Sequence, residues 1–216
     1  MLLDCHACSY AEGLALQDQV RSQLPSGTLH GLAFEHPPTF TFGRHATPDH
    51  LLVTRNFLEA RGVTLLQTDR GGEVTFHGPG QMVVYPVFRL GGLAVKRWVW
   101  LLEEAMVGTL ARVGVAATRG DGPGVFVVAR DQPKTFLKIA FIGLRIRDGV
   151  STHGISLNVS GDLQPFSWMN PCGTAALPVT SVERATGVAP HSLPPWRELA
   201  RVYMDTLAAL LVGERA

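Results

Sequence analysis

The sequence predicts an α+β or mixed-sheet fold. Its strand-like runs come in groups instead of alternating with helices, long helical patterns are few, and no repeat or linker divides the chain. With 216 residues, 46% hydrophobic and 17% charged, the chain reads as one domain over residues 1–216. A core of that size needs no disulfide or metal staple.

The elements follow in order. Tyr10 to Leu24 reads as a helix, with Tyr10, Leu14, Val20 and Leu24 on one face, stopped by Pro25, Ser26 and Gly27. Leu29 to Glu35 is β-prone and ends at His36-Pro37-Pro38; Thr39 to Phe42 is a short strand before Gly43. Val63 to Thr68 and the β-branched, aromatic run Met82 to Phe88 are two more strands. The stretch between them, Asp69 to Gln81, holds four glycines and a proline in thirteen residues, so a structured loop is expected there. Lys96 to Val113 is the clearest helix: Trp98, Leu101, Leu102, Ala105, Thr109, Leu110 and Val113 recur at helical steps, and Gly114 is a stop. Gly124 to Ala129 and Ile139 to Arg145 read as strands around a polar hairpin-like loop. Ser151 to Val159 alternates, with Ile155, Leu157 and Val159 on one side and Ser156 and Asn158 on the other; parity puts His153 with the apolar set. Pro194 and Pro195 introduce a final amphipathic helix carrying Trp196, Leu199, Val202, Tyr203, Leu207 and Leu210 on one stripe.

A formal charge of +1 without blocks of like charge argues against a nucleic-acid or anionic-membrane partner. Three cysteines cannot all pair within one chain, and the N-terminus lacks the basic start and apolar run of a signal peptide. The best apolar stretch, Trp98 to Val107, is broken by Glu103 and Glu104, far short of a span. These features predict a cytoplasmic protein.

Cys172 is the candidate nucleophile. It sits in Asn170-Pro171-Cys172-Gly173, where proline and glycine keep regular hydrogen bonding away from the thiol. A free thiol of pKa ~8.5 is only roughly 3% ionised at pH 7, and a cation that lowers it by about two units makes most of it thiolate. Three of the 19 basic residues are Lys, and Lys138 precedes the apolar run Ile139 to Leu144, which puts it at the sheet's edge; Lys134 reads as a solvated loop residue. His153 and His77 are rival partners for the thiol. The loop's Arg70-Gly71-Gly72 and His77-Gly78-Pro79-Gly80 are suited to bring backbone N–H groups to a ligand or an oxyanion, but form neither a phosphate loop nor a dinucleotide fingerprint. Cys5-His6-Ala7-Cys8 lacks a second ligand pair, so no metal site is expected.

Taken together, Arg70-Gly71-Gly72-x-x-Thr75-x-His77-Gly78-Pro79-Gly80-Gln81, Tyr85-Pro86, Pro123-Gly124-Val125, Lys138-Ile139-Ala140-x-Ile142-Gly143, His153-Gly154-x-x-Leu157-Asn158-Val159, Asn170-Pro171-Cys172-Gly173 and Val179-Thr180-Ser181 resemble the lipoyl(octanoyl) transferase (LipB) family. Glu35-His36-Pro37-Pro38 and Thr41-x-Gly43 fit as well, so the resemblance spans Tyr10 to Ser181. It implies a mixed sheet flanked by helices, as in biotin and lipoate ligases. It also implies octanoyl transfer from octanoyl-acyl carrier protein to a lysine of lipoyl domains of 2-oxo acid dehydrogenases or glycine cleavage H protein, without a cofactor. On the matching positions, Cys172 carries the acyl thioester and Lys138 lowers its pKa and moves protons. Substrate contacts fall on Arg70, Gly71, Gly72, Glu73, Val74, Thr75, Phe76 and His77, on Phe141, Ile142 and Gly143, and on His153, Gly154, Ile155 and Ser156. Two features depart from the family pattern: a long Ala129 to Leu137 segment, and Phe141 where a small residue is common. An ATP-dependent lipoate or biotin protein ligase, a Cys–His hydrolase and a non-catalytic acyl-binding protein are the rival readings.

Overall fold

In a computed structural model, residues 2–129, 132–170 and 178–214 are described. The fold is α+β. A seven-stranded sheet has the order β1-β2-β6-β10-β9-β8-β7, and a three-stranded sheet the order β4-β3-β5. In the large sheet, β1 (Leu2–Ala7) runs parallel to β2 (Leu29–Glu35). The other pairs, among β2, β6 (Gln81–Arg89), β10 (Val150–Asn158), β9 (Gln132–Arg147), β8 (Val125–Ala129) and β7 (Ala117–Arg119), are antiparallel, so the sheet is mixed. The small sheet joins β3 (Thr39–Phe42) in parallel with β4 (Thr64–Gln67) and antiparallel with β5 (Val74–His77).

Helices cover both faces of the large sheet. On one face α3 (Val95–Arg112) and α5 (Trp196–Gly213) bury Trp98, Leu102, Met106, Tyr203 and Leu207 against Met82, Val84, Ile155 and Leu157. On the other, α1 (Tyr10–Gln23) packs Tyr10 against Phe34, Val83 and Tyr85. Ser9 caps α1 reciprocally with Glu12: the Glu12 N–H donates to Ser9 Oγ at 3.2 Å and the Ser9 N–H to Glu12 Oε2 at 2.8 Å. A third apolar cluster, with Phe40, Phe76, Phe166 and Met169, lies around the small sheet. Short helices α2 (Arg55–Glu59) and α4 (Val182–Thr186) complete the fold. Among the described residues, no helix is long and apolar enough to cross a membrane.

Several local expectations are corrected. The glycine-rich stretch contains β5, because Val74 to His77 pairs with β3 although glycines flank it. The polar loop expected before Ile139 is strand: β9 begins at Gln132 and pairs with β8 from there. The buried face of α1 is Tyr10, Gly13 and Gln17, while Leu14 and Val20 are only partly buried. Lys138 lies in an interior strand rather than at the sheet's edge. The β8–β9 register shifts between Val125↔Ala140 and Phe126↔Lys138, leaving Ile139 as the extra residue of a bulge. Ile139 and Ala140 both enter the α3/α5 core, and Lys138, released from the alternation, reaches the opposite side.

Candidate active site

A cleft of about 390 Å³ separates the two sheets. From the small-sheet side come Arg70, Gly72, Glu73, Val74, Thr75 and His77; β9 contributes Lys138, Phe141, Ile142 and Gly143; β10 contributes His153, Gly154, Ile155 and Ser156. Two expected contact residues are elsewhere. Gly71 is turned to β9, donating its N–H to Leu144 O at 2.7 Å, so this amide is not an oxyanion donor. Phe76 lies in the third cluster, its ring 5.2 Å from Phe40 and 5.9 Å from Phe166. Sequence reasoning missed Tyr10, Val83, Tyr85, Pro123, Phe126 and Met169, which also line the cleft. Tyr10, Val83, Tyr85 and Phe126 sit in helix and strand positions that read as core, and Pro123 and Met169 lie outside regular elements, so none gave a sign that a cavity opens between the layers.

Arg70 anchors the glycine-rich loop. The residue is 6% exposed, and its guanidinium donates to Thr41 O, Thr41 Oγ1, Gly71 O and Glu73 O at 2.6–3.1 Å. The loop then lies close against β9: a Cβ at Gly143 would stand 3.0 Å from Gly71 O and 3.2 Å from Arg70 Cδ, so a side chain there would press the loop back by a few tenths of an ångström.

His153 occupies the face opposite to the one its parity predicts. At φ 54° the backbone leaves the regular strand conformation, and the ring faces Tyr85, 5.6 Å away, instead of the Ile155/Leu157 core. Its N–H donates to Gln17 Oε1, and its Nε2 pairs with Asp69 Oδ1 at 2.9 Å. Burial pushes the imidazole below its ordinary value against the opposing pull of Asp69, so it is neutral with Nε2 protonated. Among the described residues its Nδ1 has no hydrogen-bond partner.

His77 is held by a polar chain. Gln81 Nε2 donates to Asn158 Oδ1 at 2.8 Å and to Phe76 O at 3.2 Å, which turns Gln81 Oε1 toward His77 Nδ1 at 2.7 Å. His77 therefore carries its proton on Nδ1 and leaves Nε2 as an acceptor with no partner among the described residues. Burial, with His36 and Arg70 adding to it, drives its pKa far down. The chain continues from Asn158 Nδ2 to Thr180 O at 3.1 Å, and the Thr180 N–H donates to Lys138 O at 3.0 Å. Neither histidine has the protonated form available at neutral pH to ionise a thiol by charge.

Lys138 lies where these supports meet. Its N–H donates to Pro178 O at 2.9 Å, and its Nζ donates to Pro123 O at 2.7 Å, 5.1 Å from the Phe141 ring centroid and 5.5 Å from that of Phe126. Cys172 lies outside the described residues. The residues flanking that stretch are described: Met169 lines the cleft and pairs with Leu51, the Asn170 N–H donates to His50 O at 2.8 Å, and Pro178 is bonded to Lys138. Cys5 and Cys8 are free thiols, each raised in pKa first by burial.

This arrangement matches a known family. The lipoyl protein ligase A/B catalytic domain matches residues 9–198. The chain is 39% identical over 192 residues to the octanoyltransferase of Desulfotalea psychrophila, covering 86% of this chain and 84% of that protein. It is 40% identical over 207 residues to the octanoyltransferase of Chloroflexus aggregans, covering 93% and 90%. In fold it is similar to a bi-partite lipoate protein ligase of Thermoplasma acidophilum, with TM-score 0.77 at 18% identity over 96% of this chain and 82% of the other. A biotin protein ligase of Aquifex aeolicus shares the fold at TM-score 0.56 and 9% identity, over 98% of this chain and 68% of the other. The chain belongs to the family of the lipoyl protein ligase A/B catalytic domain.

Proposed function

We propose that residues 1–216 act as one octanoyltransferase that moves an octanoyl group from octanoyl-acyl carrier protein to a lysine of lipoyl domains, through a thioester on Cys172. The observation that carries the reading is Lys138: its amine borders an apolar cleft, and its backbone is bonded to Pro178 and Thr180, which directly follow the stretch containing Cys172. The octanoyltransferase names of the relatives support the reaction class.

The Cys172 thiolate, favoured by the Lys138 ammonium, attacks the carrier thioester carbonyl. The carbon–sulfur bond to the carrier breaks, and the leaving pantetheine thiolate takes a proton from Lys138. The neutral amine of the acceptor lysine then attacks the acyl-enzyme, Lys138 accepts its proton, and the Cys172 thiolate leaves. The octanoyl tail runs into the cleft, where burying six methylenes contributes on the order of 5 kcal/mol. Acceptors are the lipoyl domains of 2-oxo acid dehydrogenases and the glycine cleavage H protein.

Intact-mass analysis after incubation with octanoyl-acyl carrier protein tests this. A hydroxylamine-labile octanoyl adduct is expected on the wild type and absent from Cys172→Ala. Transfer that persists in Cys172→Ala, or that requires ATP and free octanoate, overturns the covalent route.

A further inference from the structure

Glu103 takes no part in the steps above, yet its carboxylate lies one peptide group away from Lys138. It projects from α3, only 7% exposed, and its Oε1 accepts the Gly124 N–H at 3.0 Å. That N–H belongs to the same planar amide as Pro123 O, which accepts the Lys138 Nζ bond at 2.7 Å. Because an amide is rigid, fixing the direction of its N–H also fixes the direction of its C=O. An acceptor on the N–H side and a donor on the C=O side polarise the amide in the same sense, so each bond strengthens the other whether or not the acceptor carries a charge.

The segment needs such an anchor. Gly120, Gly122 and Gly124 lie within five residues, and residues 120–123 are exposed. A loop of that composition has many accessible conformations. Glu103 ties it to a buried helix. The other charged groups around the carboxylate are Arg119, with Nη1 4.0 Å from Oε2, then Glu104, paired to Arg119 at 2.7 Å, and Lys138 itself. The contact on the far side is equally close: a Cβ at Gly124, where φ is +129°, would stand 2.5 Å from Lys138 Cε.

We infer that Glu103 is a positioning residue for Lys138: it fixes the Pro123–Gly124 amide, whose carbonyl holds the lysine amine beside the cleft. This rests on the reading that Lys138 moves protons for Cys172.

Three variants separate geometry from charge. Glu103→Gln keeps an acceptor oxygen at the same reach and removes the charge. Glu103→Asp keeps the charge and loses the reach of one methylene, and Glu103→Ala loses both. For octanoyl transfer, kcat is expected to fall roughly 10- to 100-fold in Glu103→Asp and Glu103→Ala, with the KM for octanoyl-acyl carrier protein within about twofold of wild type. Glu103→Gln should stay within about threefold of wild type in kcat. Circular dichroism checks folding, and the Asp/Gln pair decides the matter if the alanine variant does not fold. Wild-type turnover in Glu103→Asp, or Glu103→Gln as impaired as Glu103→Asp, overturns the positioning role. Lys138→Ala distinguishes the levels: if it is active, the reading of Lys138 falls and this one with it; if it is inactive while Glu103→Asp turns over normally, only the positioning role falls.

Discussion

Gly124→Ala tests the packing around Lys138 with a single methyl group. The new Cβ would lie 2.5 Å from Lys138 Cε, 3.0 Å from Nζ and 2.7 Å from Ala140 O. Ordinary carbon–carbon contacts are about 3.5–4.0 Å, so Cε must retreat by about 1 Å. A displacement of that size at a reacting group lowers turnover on the order of 100-fold. The backbone cost is separate: no side-chain movement relieves the contact with Ala140 O, and a side chain at φ +129° is strained by about 1–3 kcal/mol, so the melting temperature falls as well. The assay is octanoyl transfer to a lipoyl domain, followed by intact mass, with kcat and KM resolved and circular dichroism as the fold control. The expected signature is a large loss in kcat with KM for the carrier protein little changed. A folded variant with a lowered melting temperature and wild-type kcat would show that Lys138 can move aside without consequence, and that its close packing is not needed for turnover.

Two further outcomes follow from the cleft. Ser156 faces it between Val83 and Phe141 on the neighbouring strands, so Ser156→Leu fills space an acyl tail would use; displacing two methylenes at ~0.8 kcal/mol each lowers kcat/KM for octanoyl about fifteenfold relative to butanoyl donors, and an unchanged ratio refutes the assignment of the trough. His36, His77 and His153 are buried, and desolvation lowers each imidazole below the ordinary ~6.5, so the unfolded chain binds these protons first and stability is lost as pH falls below about 6.5 toward the folded-state values. Urea unfolding should lose up to about 1.4 kcal/mol per pH unit for each such group in that window, with a smaller slope in His77→Gln; a flat profile from pH 7.5 to 5.5 refutes the neutral assignments.

Elements bounded by strong breakers were legible in the sequence. β2 and β3 run from Leu29 to Glu35 and from Thr39 to Phe42 as read, because Gly27 and His36-Pro37-Pro38 punctuate them. The long helix and the terminal helix follow from three- and four-residue apolar steps. β1 was not legible: it is a short parallel edge strand whose cysteines drew attention to metal chemistry instead. β5 was hidden by its glycine-rich flanks. The face of His153 was not legible either, since a positive φ outside glycine leaves no pattern, and its partners Gln17 and Asp69 are distant in sequence. Glu103 was read only as an interruption of an apolar run; a carboxylate one step from the buried stripe of a core helix was the available sign that something polar lies opposite.

The oxygen cradle around Arg70 has an electrostatic consequence for selectivity. Every bond that holds the guanidinium comes from a carbonyl or a hydroxyl, and among the described residues no carboxylate forms an ion pair with it. Its charge therefore remains beneath the wall of the cleft proposed to take the acyl tail, where screening by water is weak. An acyl chain ending in an amine would be repelled there, whereas a plain hydrocarbon end is indifferent to it. Sorting by charge in this way needs no steric barrier.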